Sequence, residues 1–142
     1  MAGGLSRTAL LVIDMQRDFI DDTSPIRVAG GKTLVPNIVE AVQVCRNHGA
    51  LVVWFLLNFD KVVREHDPLG RDVEQFRRHF YAPGKAGAAV KGSAGAELVD
   101  QLELVMEQDD YKLVKTRFST HLHSVLEGLG KVWSWYLAIH ML

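Results

Sequence analysis

Cysteine is nearly absent: the 142 residues hold one, Cys45. A single thiol excludes an internal disulfide and any zinc site built from several cysteines. Neither sign of charge is in excess, with 16 Lys and Arg against 17 Asp and Glu and a net charge of −1. Phosphate binding needs a clustered basic surface. The basic cluster Arg77-Arg78-His79 reads more simply as a solvated helix face, so no nucleic-acid partner is expected. No apolar run approaches the roughly 18 residues of a spanning helix, and no membrane partner is expected either. The opening stretch, MAGGLSRTALLVID, lacks a secretory pattern, because its apolar part is short and leads straight into Asp14. The expected setting is cytoplasmic. Internal repeats, linkers and low-complexity tracts are also missing.

What is present is the balance of a globular protein, 48% apolar and 23% charged, in a length that suits a single domain over residues 1–142. Thr8 to Ile13 (TALLVI) and residues 50–57 (ALVVWFLL) are continuous β-prone runs. Without polar alternation, such strands are expected to be covered on both faces. Between them the period changes. Leu34, Ile38, Val42 and Cys45 recur at helical spacing, with Pro36 suited to the first turn and Gly49 to the C-terminal cap. Strand, helix, strand is a right-handed parallel crossover, which predicts a three-layer αβα fold, Rossmann-like, with a parallel sheet. Residues 20–32 read as a loop, and residues 60–93 as a long loop with a short helix near Asp72 to Phe80. Ala94 to Met106 reads as a helix with Leu98, Leu102 and Val105 on one face. Asp109 and Asp110 mark a turn before a third strand, Tyr111 to Lys115, and Leu122 to Leu129 gives another helix. The closing KVWSWYLAIHML, with Trp133, Trp135 and Tyr136, fits a further parallel strand.

In parallel sheets the working edge lies beyond the C-terminal ends of the strands. Adjacent strands ending in Asp14 and Lys115 would bring a carboxylate and an ammonium together there, each holding the other ionised. The pair suits a general base beside an electrophilic stabiliser. It equally suits a structural ion pair that closes the strand ends.

Four stretches then carry a resemblance: LLVIDMQRDF, WFLLNFDKVVREHDP, KGSAGAELVDQL and LVKTRFS. In this order they resemble the isochorismatase-like cysteine hydrolases, the superfamily that includes nicotinamidases, from about Ala9 to Ser119. The resemblance implies a three-layer α/β fold and cleavage of a C–N bond in a small amide-like molecule. It also implies a catalytic Asp, Lys and Cys, where the thiolate attacks a carbonyl and backbone N–H groups hold the oxyanion. Asp14 matches the Asp and Lys115 the Lys, while Phe19, His66 and Arg117 fall at substrate-binding positions.

The third catalytic member is missing. Where the family places a strand, a Gly-containing turn and the Cys, this sequence has KVWSWYLAIHML. FSTHLHSVL also departs from the family's Ala and aromatic after K-x-R-[FY]-S. The domain is therefore expected to be divergent and truncated after about residue 119, and incomplete at its C-terminus. Losing such a nucleophile costs roughly 10⁶ in rate, so hydrolysis is expected to be negligible. Cys45 lies on the apolar stripe of the first long helix and reads as packing, and Ser119 reads as a helix cap. Metal-binding nicotinamidases use an Asp-x-His pair after the second strand, whereas Arg64-Glu65-His66 puts arginine in the acidic place. No metal and no cofactor are expected. His121 and His123 read as surface residues. The expected partners are a small amide-like ligand and further subunits in a homo- or hetero-oligomer. Alternatives are a non-catalytic binding or regulatory subunit joining full-length homologues, and an enzyme using Ser119 or an acid–base pair.

Overall fold

The structure, a computed structural model, describes residues 7–57, 89–115 and 135–140. The expected helices near 72–80 and 122–129, the basic cluster at 77–79, and Arg64, His66, Arg117, Ser119, His121, His123 and Trp133 lie outside the described residues. Four strands, β1 (Thr8–Ile13), β2 (Leu51–Leu57), β3 (Tyr111–Lys115) and β4 (Trp135–His140), form one parallel sheet in the order β3-β2-β1-β4. Helices α1 (Arg17–Ile20), α2 (Gly31–Asn47) and α3 (Asp100–Glu103) complete the described elements, with a 3₁₀ turn at Ala94–Ala96.

The expectation that both sheet faces are buried is met. On one face Leu10, Val12, Val52, Trp54 and Leu56 pack with Val35, Ile38, Val42 and Cys45 of α2 and with Leu98, Val99 and Leu102. On the other, Ala9, Leu11, Val53, Phe55 and Leu113 form a second buried cluster. This two-sided burial is why β1 and β2 read as continuous apolar runs. The described helices cover the first face.

Two helical expectations need correction. Helix α2 begins at Gly31, three residues before the apolar repeat starts, so Pro36 sits inside the helix rather than in its first turn. Its buried stripe contains Val35 in place of Leu34, which is 37% exposed. Proline cannot donate to a carbonyl four residues back, yet the buried faces of Val35 and Ile38 hold the turn in place. Gly49, with φ of 81°, follows the helix end as expected. The helix expected over 94–106 is split, because Glu97 and Val99 have extended backbone. Those residues pair with the chain after β1: the Arg17 N–H donates to Glu97 O at 2.9 Å and the Val99 N–H to Met15 O at 3.3 Å. Tertiary pairing overrides helical periodicity here.

Asp110 does more than turn the chain. Its Oδ2 accepts from Trp54 Nε1 at 2.8 Å, Arg46 Nη2 at 2.7 Å and the Glu107 N–H at 3.0 Å. Strand β2, helix α2 and the approach to β3 thus converge on one carboxylate oxygen. Asp110→Ala leaves the indole N–H of the fully buried Trp54 without an acceptor. The expected loss, read by urea denaturation, is about 1–3 kcal/mol.

Candidate active site

All strands run the same way, so the ends of β1, β2 and β3 lie on one edge of the sheet. Asp14 directly follows β1, and Lys115 closes β3. These two strands are not neighbours, contrary to the sequence expectation, because β2 runs between them. Ile13 pairs in register with Phe55, and Lys115 with Leu57. Two inter-strand steps span roughly 9.6 Å. The long lysine side chain closes that gap, placing Nζ 3.0 Å from Asp14 Oδ2.

Both partners are withdrawn from water, with side-chain exposures of 4% for Lys115 and 0% for Asp14. The aspartate has φ of 58°, in the left-handed region, while its N–H still donates to Phe55 O at 3.0 Å. The chain makes one more ladder bond and then turns sharply away. Non-glycine residues rarely adopt this conformation, although Asp tolerates it better than most. Backbone strain of this kind concentrates at functional sites.

The next residues fasten the edge. Gln16 is fully buried; its Nε2 donates to Leu57 O at 2.7 Å and Ala96 O at 2.6 Å, and its Oε1 accepts from the Leu57 N–H at 2.8 Å. Asp18 accepts from the Ala89 N–H at 2.7 Å. A Cβ on Gly95 would stand 2.2 Å from the Asp18 carboxylate, so glycine is required for this approach. Arg17 forms an ion pair with Asp100. Segment 89–99 is in this way stitched to residues 14–18.

Of the residues singled out from sequence, the structure brings Asp14 and Lys115 into direct contact. Phe19 is 1% exposed, in a cluster with Leu57, Ala89 and Ala96 that backs the end of β2. Sequence reasoning did not single out Gln16 or Asp18 as site residues. The available signal was polarity itself, a Gln and an Asp directly after a buried strand. Among the described residues, no three His, Cys, Asp or Glu side chains gather as a metal site, and no helix is long and apolar enough to cross a membrane.

The described residues thus form a parallel-sheet α/β domain with a buried carboxylate–ammonium pair at the C-terminal strand edge. Comparison with known proteins is specific: residues 8–131 match the isochorismatase domain. The chain belongs to the isochorismatase family. It is 53% identical over 134 residues to a protein of Arabidopsis thaliana named probable inactive nicotinamidase, covering 92% of this chain and 64% of that protein. A crystal structure of an isochorismatase family protein from Desulfovibrio vulgaris superposes with a TM-score of 0.72 at 32% identity, covering 89% of this chain and 63% of that one. The nicotinamidase PncA of Bacillus subtilis shares the fold at 19% identity, with a TM-score of 0.67 and coverage of 94% and 70%. The chain thus spans somewhat under two thirds of the length of the first two relatives.

Removing one member of a buried pair takes away the other's direct counter-charge. Lys115→Met is expected to cost about 3–5 kcal/mol in denaturant unfolding. The double variant Asp14→Leu/Lys115→Met is expected to recover most of that loss, so the cycle should show strong coupling.

Proposed function

We propose that this chain is a non-hydrolytic isochorismatase-family protein whose Asp14–Lys115 edge binds a small amide-like molecule. The observation that carries the reading is the position of its thiol. Cys45 lies in the last turn of α2, where its carbonyl accepts from the Ala50 N–H at 2.9 Å. That is the N-terminal edge of the sheet, since Leu51 pairs with Ala9. From Ala9 to Asp14 the strand rises roughly 16 Å, so the thiol and the pair stand at opposite ends. Burial among apolar side chains also pushes the Cys45 thiol pKa up, opposite to what a nucleophile needs. No second cysteine exists in these 142 residues.

The name of the Arabidopsis relative, probable inactive nicotinamidase, supports the same reading. In it, Asp14 and Lys115 orient the amide of a ligand without transferring a proton to or from sulfur, with Phe19, His66 and Arg117 at substrate-binding positions. An association with further copies or with longer homologues is part of the proposal. So is a cytoplasmic setting, which suits a single unpaired thiol.

Three measurements test this. Incubated with nicotinamide, pyrazinamide and related amides, the purified chain is expected to release no ammonia above buffer. Turnover abolished by Asp14→Asn would overturn the proposal. Calorimetry with the same compounds is expected to show binding that Asp14→Asn weakens, and silence across the panel would remove the ligand part of the reading. Cys45 is expected to resist a thiol reagent at pH 8 in the folded chain and to react on denaturation. Its raised pKa keeps the thiol protonated until more alkaline pH.

A further inference from the structure

We infer that Gln16 is the positioning residue of the Asp14–Lys115 pair, acting as a side-chain continuation of β1 along β2. The strand ladder leads to this assignment. In a parallel pair one residue presents both its N–H and its C=O to the same neighbour, and the next such residue lies two further on. Phe55 faces β1 and receives its final bond from the Asp14 N–H. Leu57 is the next residue to face that way, but by then the left-handed turn at Asp14 has carried the β1 backbone off. The Leu57 N–H and C=O are buried, with the residue at 0% exposure, and need one acceptor and one donor. The Gln16 amide supplies both, at 2.8 and 2.7 Å. Its second N–H reaches Ala96 O and holds segment 89–99 against the same point.

Leu57 is also the register partner of Lys115. Fixing Leu57 therefore fixes the backbone from which the ammonium reaches over β2 to Asp14. Gln16 touches neither charged group in these contacts; it acts through the strand between them. The assignment is chemically narrow. Glutamate has the same length but no N–H, so it would face Leu57 O and Ala96 O with acceptors. Asparagine is one methylene short. Methionine keeps the volume and makes none of the bonds.

The inference rests on the reading of Asp14 and Lys115 as the functional pair. Its readouts come from the ligand-free chain, so failure to bind nicotinamide would leave it standing. The test is NMR of the full, isotopically labelled chain, following the Asp14 carboxyl carbon, the Lys115 side-chain nitrogen and the exchange of the Leu57 amide. In the wild type the Leu57 N–H is expected to be as protected as that of Val53 at the middle of β2. Gln16→Met is expected to shift both pair resonances toward those of solvated side chains and to speed Leu57 exchange by roughly tenfold or more, as a locally opened strand end would. Val42→Ala, which removes buried volume beneath α2, is the control: it is expected to lower stability while leaving the pair resonances in place. Pair resonances in Gln16→Met that match those of Val42→Ala would overturn the assignment. If Gln16→Met does not fold, the wild-type measurement decides, since a Leu57 amide exchanging as fast as those of exposed turns would equally overturn it.

Discussion

The ammonium of Lys115 reaches across one whole strand to a carboxylate it does not neighbour, and most of the local architecture follows from that reach. A lysine two strands away can meet Asp14 only if β1, β2 and β3 end at matching heights. The register pairs Ile13 with Phe55 and Leu57 with Lys115, which gives that match. Both charges are removed from water, so each gains from the other's nearness, and the sheet edge is held closed by the contact it creates. The left-handed backbone at Asp14 is part of the same solution. It lets the residue complete the ladder with its N–H and then take the chain away, which leaves Leu57 for Gln16 to satisfy.

A second carboxylate does comparable work elsewhere. Asp110 gathers the Trp54 indole, the Arg46 guanidinium and a backbone N–H around one oxygen. Trp54 is among the largest fully buried side chains, and its polar edge needs a partner when buried. The arginine comes from the last turn of α2. The first face of the sheet is therefore clamped near the start of β3 as well as at the site, and β3 arrives at Lys115 already fixed in register. Exposed pairs such as Lys32 with Asp22, in which the carboxyl pKa is lowered and the ammonium pKa raised mainly by their hydrogen bond, contribute little by comparison.

Much of this was legible in the sequence, for particular reasons. Two-sided burial leaves no alternation in TALLVI or LVVWFLL, so strand, layering and parallel direction could be read together. Asp14 stands out as a charge after a continuous apolar run, and Lys115 as a charge at a strand end. The strand order could not be read, because the length of a crossover does not say which side of a sheet it enters. Adjacency of the strands that carry Asp14 and Lys115 is therefore an expectation that the observed order corrects. The helix expected at 94–106 failed because Glu97–Val99 is held extended by residues 15–17, a partner some eighty positions away. The role of Gln16 is hidden in the sequence for a similar reason: a side chain that stands in for missing backbone has no signature until the strand beside it is known.

The buried pair has a physical hold on the fold that needs no catalysis. Substituting either residue alone removes the direct counter-charge of a buried ion, at a cost of about 3–5 kcal/mol, a large share of the 5–15 kcal/mol that holds a domain together. An intermediate with one partner gone is therefore hard to populate, even where replacing both by apolar residues would be tolerated. A buried Asp and Lys at this strand edge are therefore held in place by stability whether or not they also serve chemistry.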